Sequence, residues 1–145
     1  MTLVDLYPTA LESAGLAPDE AERDLPGRSL FDVLRAPDPE RSVISEYHDG
    51  GSVTGITMLR QGRWKYVHYV GYRPQLFDLE ADPEERIDLG EDPRHAATRD
   101  RLLAELRRHL DPEAVNARAF ADQAAAIERL GGREALLAMG EFGYT

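Results

Sequence analysis

The spacing of apolar positions changes along the chain, and the changes mark its elements. In "TLVDLYPTALESAGL", Leu3, Leu6, Tyr7, Ala10, Leu11 and Ala14 recur at helical spacing, Pro8 suits a first turn, and Gly15 is a C-terminal stop. A short amphipathic helix is predicted there. After "APDEAERDLPG", the segment "RSLFDVLRAPDPE" offers Ser29 as an N-cap and prolines that forbid a long helix. "SVISEY" then reads as a β-strand. From Val53 to Leu79 the pattern takes a period of two, broken at Gln61-Gly62 and at Gly71-Tyr72-Arg73-Pro74, the turn chemistry expected between antiparallel strands. This predicts a three-stranded meander. Its central strand sets Trp64, Tyr66 and His68 on one face and Arg63, Lys65, Val67 and Tyr69 on the other.

The helical period returns in "DPRHAATRDRLLAELRRHLD", with Leu102, Leu103, Leu106 and Leu110 on one side and Arg107, Arg108 and His109 in the last turn, where they complement the helix dipole. This helix is expected to cover one face of the sheet. A further helix is predicted from Asp111 as cap and Pro112 as first residue to about Leu130, where Gly131-Gly132 breaks it. The tail beyond carries Leu136, Leu137, Met139, Phe142 and Tyr144, an apolar set that needs a surface to bury it.

Composition narrows the function. Against 17 Lys and Arg stand 27 Asp and Glu, a net charge of −10 that opposes binding to nucleic acid. The chain has no cysteine, which removes thiolate metal sites and a Cys nucleophile. The N-terminal stretch has neither the basic start nor the apolar run of an export signal, and no stretch is long and apolar enough for a membrane span, so a cytoplasmic location is expected.

Familiar catalytic patterns are missing. The five serines lie in no G-x-S-x-G context, and there is no P-loop or G-x-G-x-x-G. "HDG" at 48–50 lacks a second ligand pair, so no metal site is assigned. The carboxylates of "DLEADPEERIDLGEDP" have the spacing of an exposed acidic turn that caps the following helix.

Taken in order, "LVDLYPTALESAGL", "LPGRSLFDVL", "VISEYHDG" and "MLRQGRWKYVHYVGYRPQLFDLEADPEERIDLGEDP" resemble the C-terminal portion of sulfatases and the related phosphonate and phosphate ester hydrolases of the alkaline-phosphatase superfamily. The resemblance runs from residue 3 to about 110. The remaining tail is similar to the C-terminal extension of the choline-sulfatase and phosphonate-monoester-hydrolase branch.

This resemblance implies an α+β fold, a small antiparallel sheet of three to four strands packed against a helix. It divides the chain into 1–51, the end of the catalytic α/β domain; 52–110, the C-terminal subdomain; and 111–145, a helical extension. The family's formylglycine precursor, a Cys or Ser in a Cys/Ser-x-Pro-x-Arg motif, has no counterpart here, and neither do its metal ligands. A divalent cation, calcium or manganese, is therefore expected only in a full-length enzyme, and no catalytic residue is assigned. Tyr47 and His48, at a strand end, and Lys65, a cation suited to a sulfate or phosphonate oxyanion, are the candidate substrate-binding residues. Two functions follow: the C-terminal part of a sulfate or phosphonate ester hydrolase, inactive alone, or a stand-alone oligomerisation or binding module. Expected partners are the catalytic domain or a second copy meeting the apolar helix faces, and a small ester substrate in a full-length enzyme.

Overall fold

The computed structural model describes residues 2–48 and 51–138. Met139, Phe142 and Tyr144 of the apolar tail, and Asp49 of the "HDG" segment, lie outside them.

The N-terminal helix α1 spans Leu6–Ser13 and follows a 3-10 turn at Leu3–Asp5. Asp5 stands at its N-cap position, yet its carboxylate makes no capping bond. It turns inward, fully buried, and accepts from Nη1 and Nη2 of Arg41 at 3.0 and 2.6 Å and from the Thr2 and Arg28 N–H groups at 2.9 and 3.0 Å. Thr9 makes a second tie, because its hydroxyl accepts the Leu30 N–H at 2.9 Å where helix α2, Leu30–Arg35, begins. Ser29 caps α2 by accepting from the Phe31 N–H. No residue of α1 is buried, and Leu3 and Leu34 are 81% and 77% exposed. Of the apolar side predicted for this segment Leu11 is half-buried, while Leu3, Leu6, Tyr7, Ala10 and Ala14 stay exposed.

The sheet holds four strands: β1 Val43–Tyr47, β2 Ile56–Gln61, β3 Trp64–Tyr69 and β4 Gln75–Asp78. They lie in chain order, each antiparallel to the next. The meander predicted over Val53–Leu79 is β2–β4, and the "SVISEY" strand extends it as β1, so the sheet continues across the β1–β2 connection between the first two predicted segments. Gly62, at φ 55°, takes the left-handed conformation in the β2–β3 turn.

Register explains which side chains become core. Ile44, Leu59, Tyr66 and Leu76 lie in one cross-strand row. Helix α3, Ala96–His109, lays Leu102 and Leu106 over that row. Leu59, Tyr66, Leu76, Leu102 and Leu106 are all at most 1% exposed, and Ile44, Trp64, Leu89, Leu103 and Leu110 pack around them. Burial of each large apolar side chain contributes roughly 1.5–3 kcal/mol, so this cluster dominates the stability of the sheet–helix unit. Trp64, on the same face, sets its ring 5.6 Å from that of His95 at the start of α3. The fold is thus the α+β arrangement of antiparallel sheet and covering helix.

Helix α4 runs over Pro112–Arg129, with Asp111 accepting the Ala114 N–H at 3.1 Å and Pro112 in its first turn. Gly131 and Gly132, at φ 93° and 86°, separate it from α5, Gly132–Ala138. Among the described residues no helix is long and apolar enough to cross a membrane.

Candidate functional site

Two of the three candidate residues are consecutive where β1 ends. Tyr47 is the last residue of β1 and is 48% exposed. His48 follows it, its Nε2 3.3 Å from Glu46 Oε2, its Nδ1 buried without a hydrogen-bond partner. The far end of the same connection is stitched to the sheet. Ser52 donates to the Thr54 carbonyl at 2.5 Å, Thr54 donates its hydroxyl to the Val70 carbonyl at 2.8 Å, and the Val70 N–H donates to the Gly55 carbonyl at 3.2 Å. At Gly55 the packing is close: a Cβ there would fall 2.9 Å from Asn116 Oδ1 and from His48 Cε1 and Nδ1, so these side chains would have to shift. An open hollow of about 400 Å³ borders this connection, lined in part by Ser52, Thr54, Tyr69, Tyr72 and Arg73.

Lys65 is elsewhere. Register places Tyr47 opposite Ile56 and Ile56 opposite Tyr69, so Lys65 lies four residues further along β3, roughly 13 Å away at the rise of a strand. Its ammonium is engaged by Glu85 Oε2 at 2.5 Å and stands over the Phe77 ring at 5.8 Å from the centroid. Glu85 reaches it from a left-handed backbone at φ 55°, in a turn where the Asp82 carboxylate accepts the Ile87 N–H at 2.8 Å. The acidic segment therefore does more than cap a helix, because it folds back and neutralises the strand's lysine.

A second histidine, His68, lies on β3. On the helix-covered face, His68 has Nδ1 3.3 Å from the Tyr66 hydroxyl and Nε2 3.5 Å from Glu113 Oε1 at the start of α4. Burial pushes the Tyr66 phenol up to about 12, and its hydroxyl pairs with His68 Nδ1 in a direction set by the imidazole tautomer. Burial lowers the His68 pKa, with Glu113 opposing and Arg107 assisting. The Asp5 carboxyl is held well below the ordinary range, chiefly by the Arg41 guanidinium, with burial opposing and the Arg28 and Thr2 amides assisting. Neither the Asp5–Arg41 pair nor the role of Asn116 is evident from sequence spacing, because each joins positions far apart in the chain, 36 and 61 residues respectively.

The chain is 35% identical over 124 residues to a choline-sulfatase of Rhizobium meliloti (strain 1021), a match covering 83% of this chain and 24% of the relative. A solved 2-O GAG sulfatase superposes with a TM-score of 0.55 at 32% identity, covering 83% of this chain and 26% of that one. The chain corresponds to a C-terminal region of the sulfatase family. A phosphonate monoester hydrolase from Silicibacter pomeroyi superposes with a TM-score of 0.52 at 31% identity, over 72% of this chain and 24% of that one. No family model matches the chain. This sulfatase-family region thus spans about a quarter of the length of the proteins it matches.

The divalent cation implied for a full-length sulfatase has no ligand set here: among the described residues no three His, Cys, Asp or Glu side chains converge. His48 has Glu46 as its one carboxylate neighbour in a hydrogen-bonded or ionic contact among the described residues. What the β1 end offers is binding chemistry, an exposed phenol and an imidazole. Neither Tyr47 nor His48 lines the open hollow; His48 borders a much smaller cavity of about 10 Å³ with Gly55, Asn116 and Gln123.

Proposed function

We propose that this chain is the C-terminal part of a hydrolase of sulfate esters, or of phosphonate or phosphate esters, and that it forms one wall of the substrate cleft. The catalytic α/β domain brings the nucleophile and the cation. The chain alone is inactive, and Tyr47 and His48 face the ester. Lys65, already paired with Glu85, acts on the substrate less directly by keeping the acidic turn folded against the sheet.

The observation that carries this reading is the uncovered apolar side of the N-terminal segment. Leu3, Leu6, Leu16, Leu25 and Leu34 are each at least half exposed, although Asp5 and Thr9 hold the segment in a defined place. An ordered apolar surface of this kind is a packing surface for another body. The share of the relatives that this chain spans supports the catalytic domain as that body.

The native mass tests the proposal. An immunoblot of source cells with an antibody to residues 60–85 is expected to show a band several times the 16.2 kDa of this chain. A band at the chain's own mass would overturn it and favour the stand-alone module. Light scattering on the purified chain tests the surface itself, since the uncovered side predicts self-association and a monodisperse monomer would count against that surface being a contact. Turnover of an aryl sulfate by the purified chain would refute its inactivity.

A further inference from the structure

The connection that carries His48 is gripped at both ends by one helix. At its start the His48 carbonyl accepts from the Gln123 side-chain amide at 3.0 Å. At its end the Gly55 N–H donates to Asn116 Oδ1 at 2.6 Å. Asn116 and Gln123 both belong to α4, two turns apart and therefore on one face. Their targets are backbone groups, so the grip fixes the chain at His48 and at Gly55.

Apolar packing does little of this work. Of the described residues of α4 only Pro112 is buried, and Phe120 is 47% exposed. The contact with Gly55 is tight, because even a methyl group there would collide with both Asn116 and the His48 ring. The imidazole of His48 and the Asn116 amide both lie against Gly55. A change at Asn116 would therefore be felt at His48 without any change in β1. His68 Nε2 lies 3.5 Å from Glu113 Oε1 in the first turn of α4, but it is buried without a hydrogen-bond partner, so it adds no bond to this grip.

We infer that α4 is the positioning element of the His48 connection, with Asn116 as its principal contact. The helical C-terminal extension thereby determines how the end of β1 is presented to a ligand. This consequence for a ligand rests on the proposed cleft. The grip itself does not, and it is read on the chain without any turnover measurement, so failure of one is distinguishable from failure of the other.

Hydrogen–deuterium exchange on the full 145-residue chain tests the inference. Asn116→Ala is expected to raise exchange in residues 51–55 by about tenfold, the size of one lost hydrogen bond. Exchange in β3 and α3 is expected to stay unchanged. Asn116→Asp keeps an acceptor oxygen for the Gly55 N–H and should restore protection. Gln123→Ala should loosen the start of the connection, and it carries the test if Asn116→Ala fails to fold. The inference is overturned if exchange in the connection is unaltered by these variants. It is equally overturned if exchange rises uniformly across the chain, which would show a general loss of stability, or if Asn116→Asp fails to rescue.

Discussion

The sheet with α3 and the N-terminal segment are ordered by opposite means. In the first, five side chains at most 1% exposed form a shared apolar cluster. In the second, α1 buries nothing, and a fully buried carboxylate with a bidentate arginine supplies the fixed point. One region satisfies its hydrophobic surface within the chain, whereas the other spends its polar groups on internal order and leaves its hydrophobic surface outward. A buried ion pair is a poor source of net stability but a sensitive one, since removing one partner strands the other's charge. That makes it suited to holding a segment whose apolar side is reserved for another body.

Substitutions can break this contrast, and the largest effect is expected at the ion pair. Asp5→Ala leaves Arg41 without its partner and should cost about 3–5 kcal/mol, read as urea sensitivity and as new proteolytic cleavage within residues 1–35. Because Arg41 holds the Asp5 carboxyl below its ordinary range, its contribution is complete above the unfolded value of about 3.9 and is lost as the pH falls further. Leu106→Ala follows, at about 2–5 kcal/mol for a cavity in the core, with unfolding of the sheet as the readout. Leu34→Ser, on the uncovered surface, should change stability by no more than about 0.5 kcal/mol while reducing self-association. A large loss of stability in that variant would show that the surface is covered within the chain.

Smaller effects sharpen the picture around the His48 connection. Gly55→Ala, which forces a Cβ against Asn116 and His48, should destabilise by about 1–3 kcal/mol. His68 adds a pH dependence. Burial lowers its pKa, so the folded state binds a proton less readily than the unfolded chain. Its contribution is therefore complete above the unfolded value of about 6.5 and declines as the pH falls through the lowered folded value. Glu113 of α4, Arg107 of α3 and the Tyr66 hydroxyl are the groups that face it. His68→Gln should flatten that part of a melting-temperature profile, and parallel profiles would place the titration elsewhere. Lys65→Met, which breaks a partly exposed pair with Glu85, should cost under about 1 kcal/mol.

Much of the core was legible because it follows from local periods. Alternation along "WKYVHY" grouped Tyr66 with Trp64 and His68 on one face, and the Leu102–Leu106 spacing gave α3 one apolar side; the structure shows that the two meet. The Asp111 cap and the Gly131-Gly132 break were equally local. What periodicity does not encode is the partner of a polar side chain. Lys65 had the chemistry of an oxyanion ligand, but a turn 20 residues on supplies it with Glu85. Asp5 had the position of an ordinary N-cap, yet its carboxylate serves Arg41. Of the site, Tyr47 and His48 were placed at a strand end by the "VISEY" pattern. The helix that holds their connection was not, because an asparagine among alanines carries no sign of the backbone amide it will meet.

The strand order has a consequence for how the molecule forms. Every strand pairs with its neighbour in the chain, in the order β1-β2-β3-β4, so each pairing closes only a short loop. Loop-closure entropy is small at such separations, and sheets assembled from adjacent strands reach their native pairing faster than sheets that need distant crossovers. The arginine that holds Asp5 sits just before β1. Zipping of the sheet is therefore expected to bring that guanidinium into place before the N-terminal helix docks onto it.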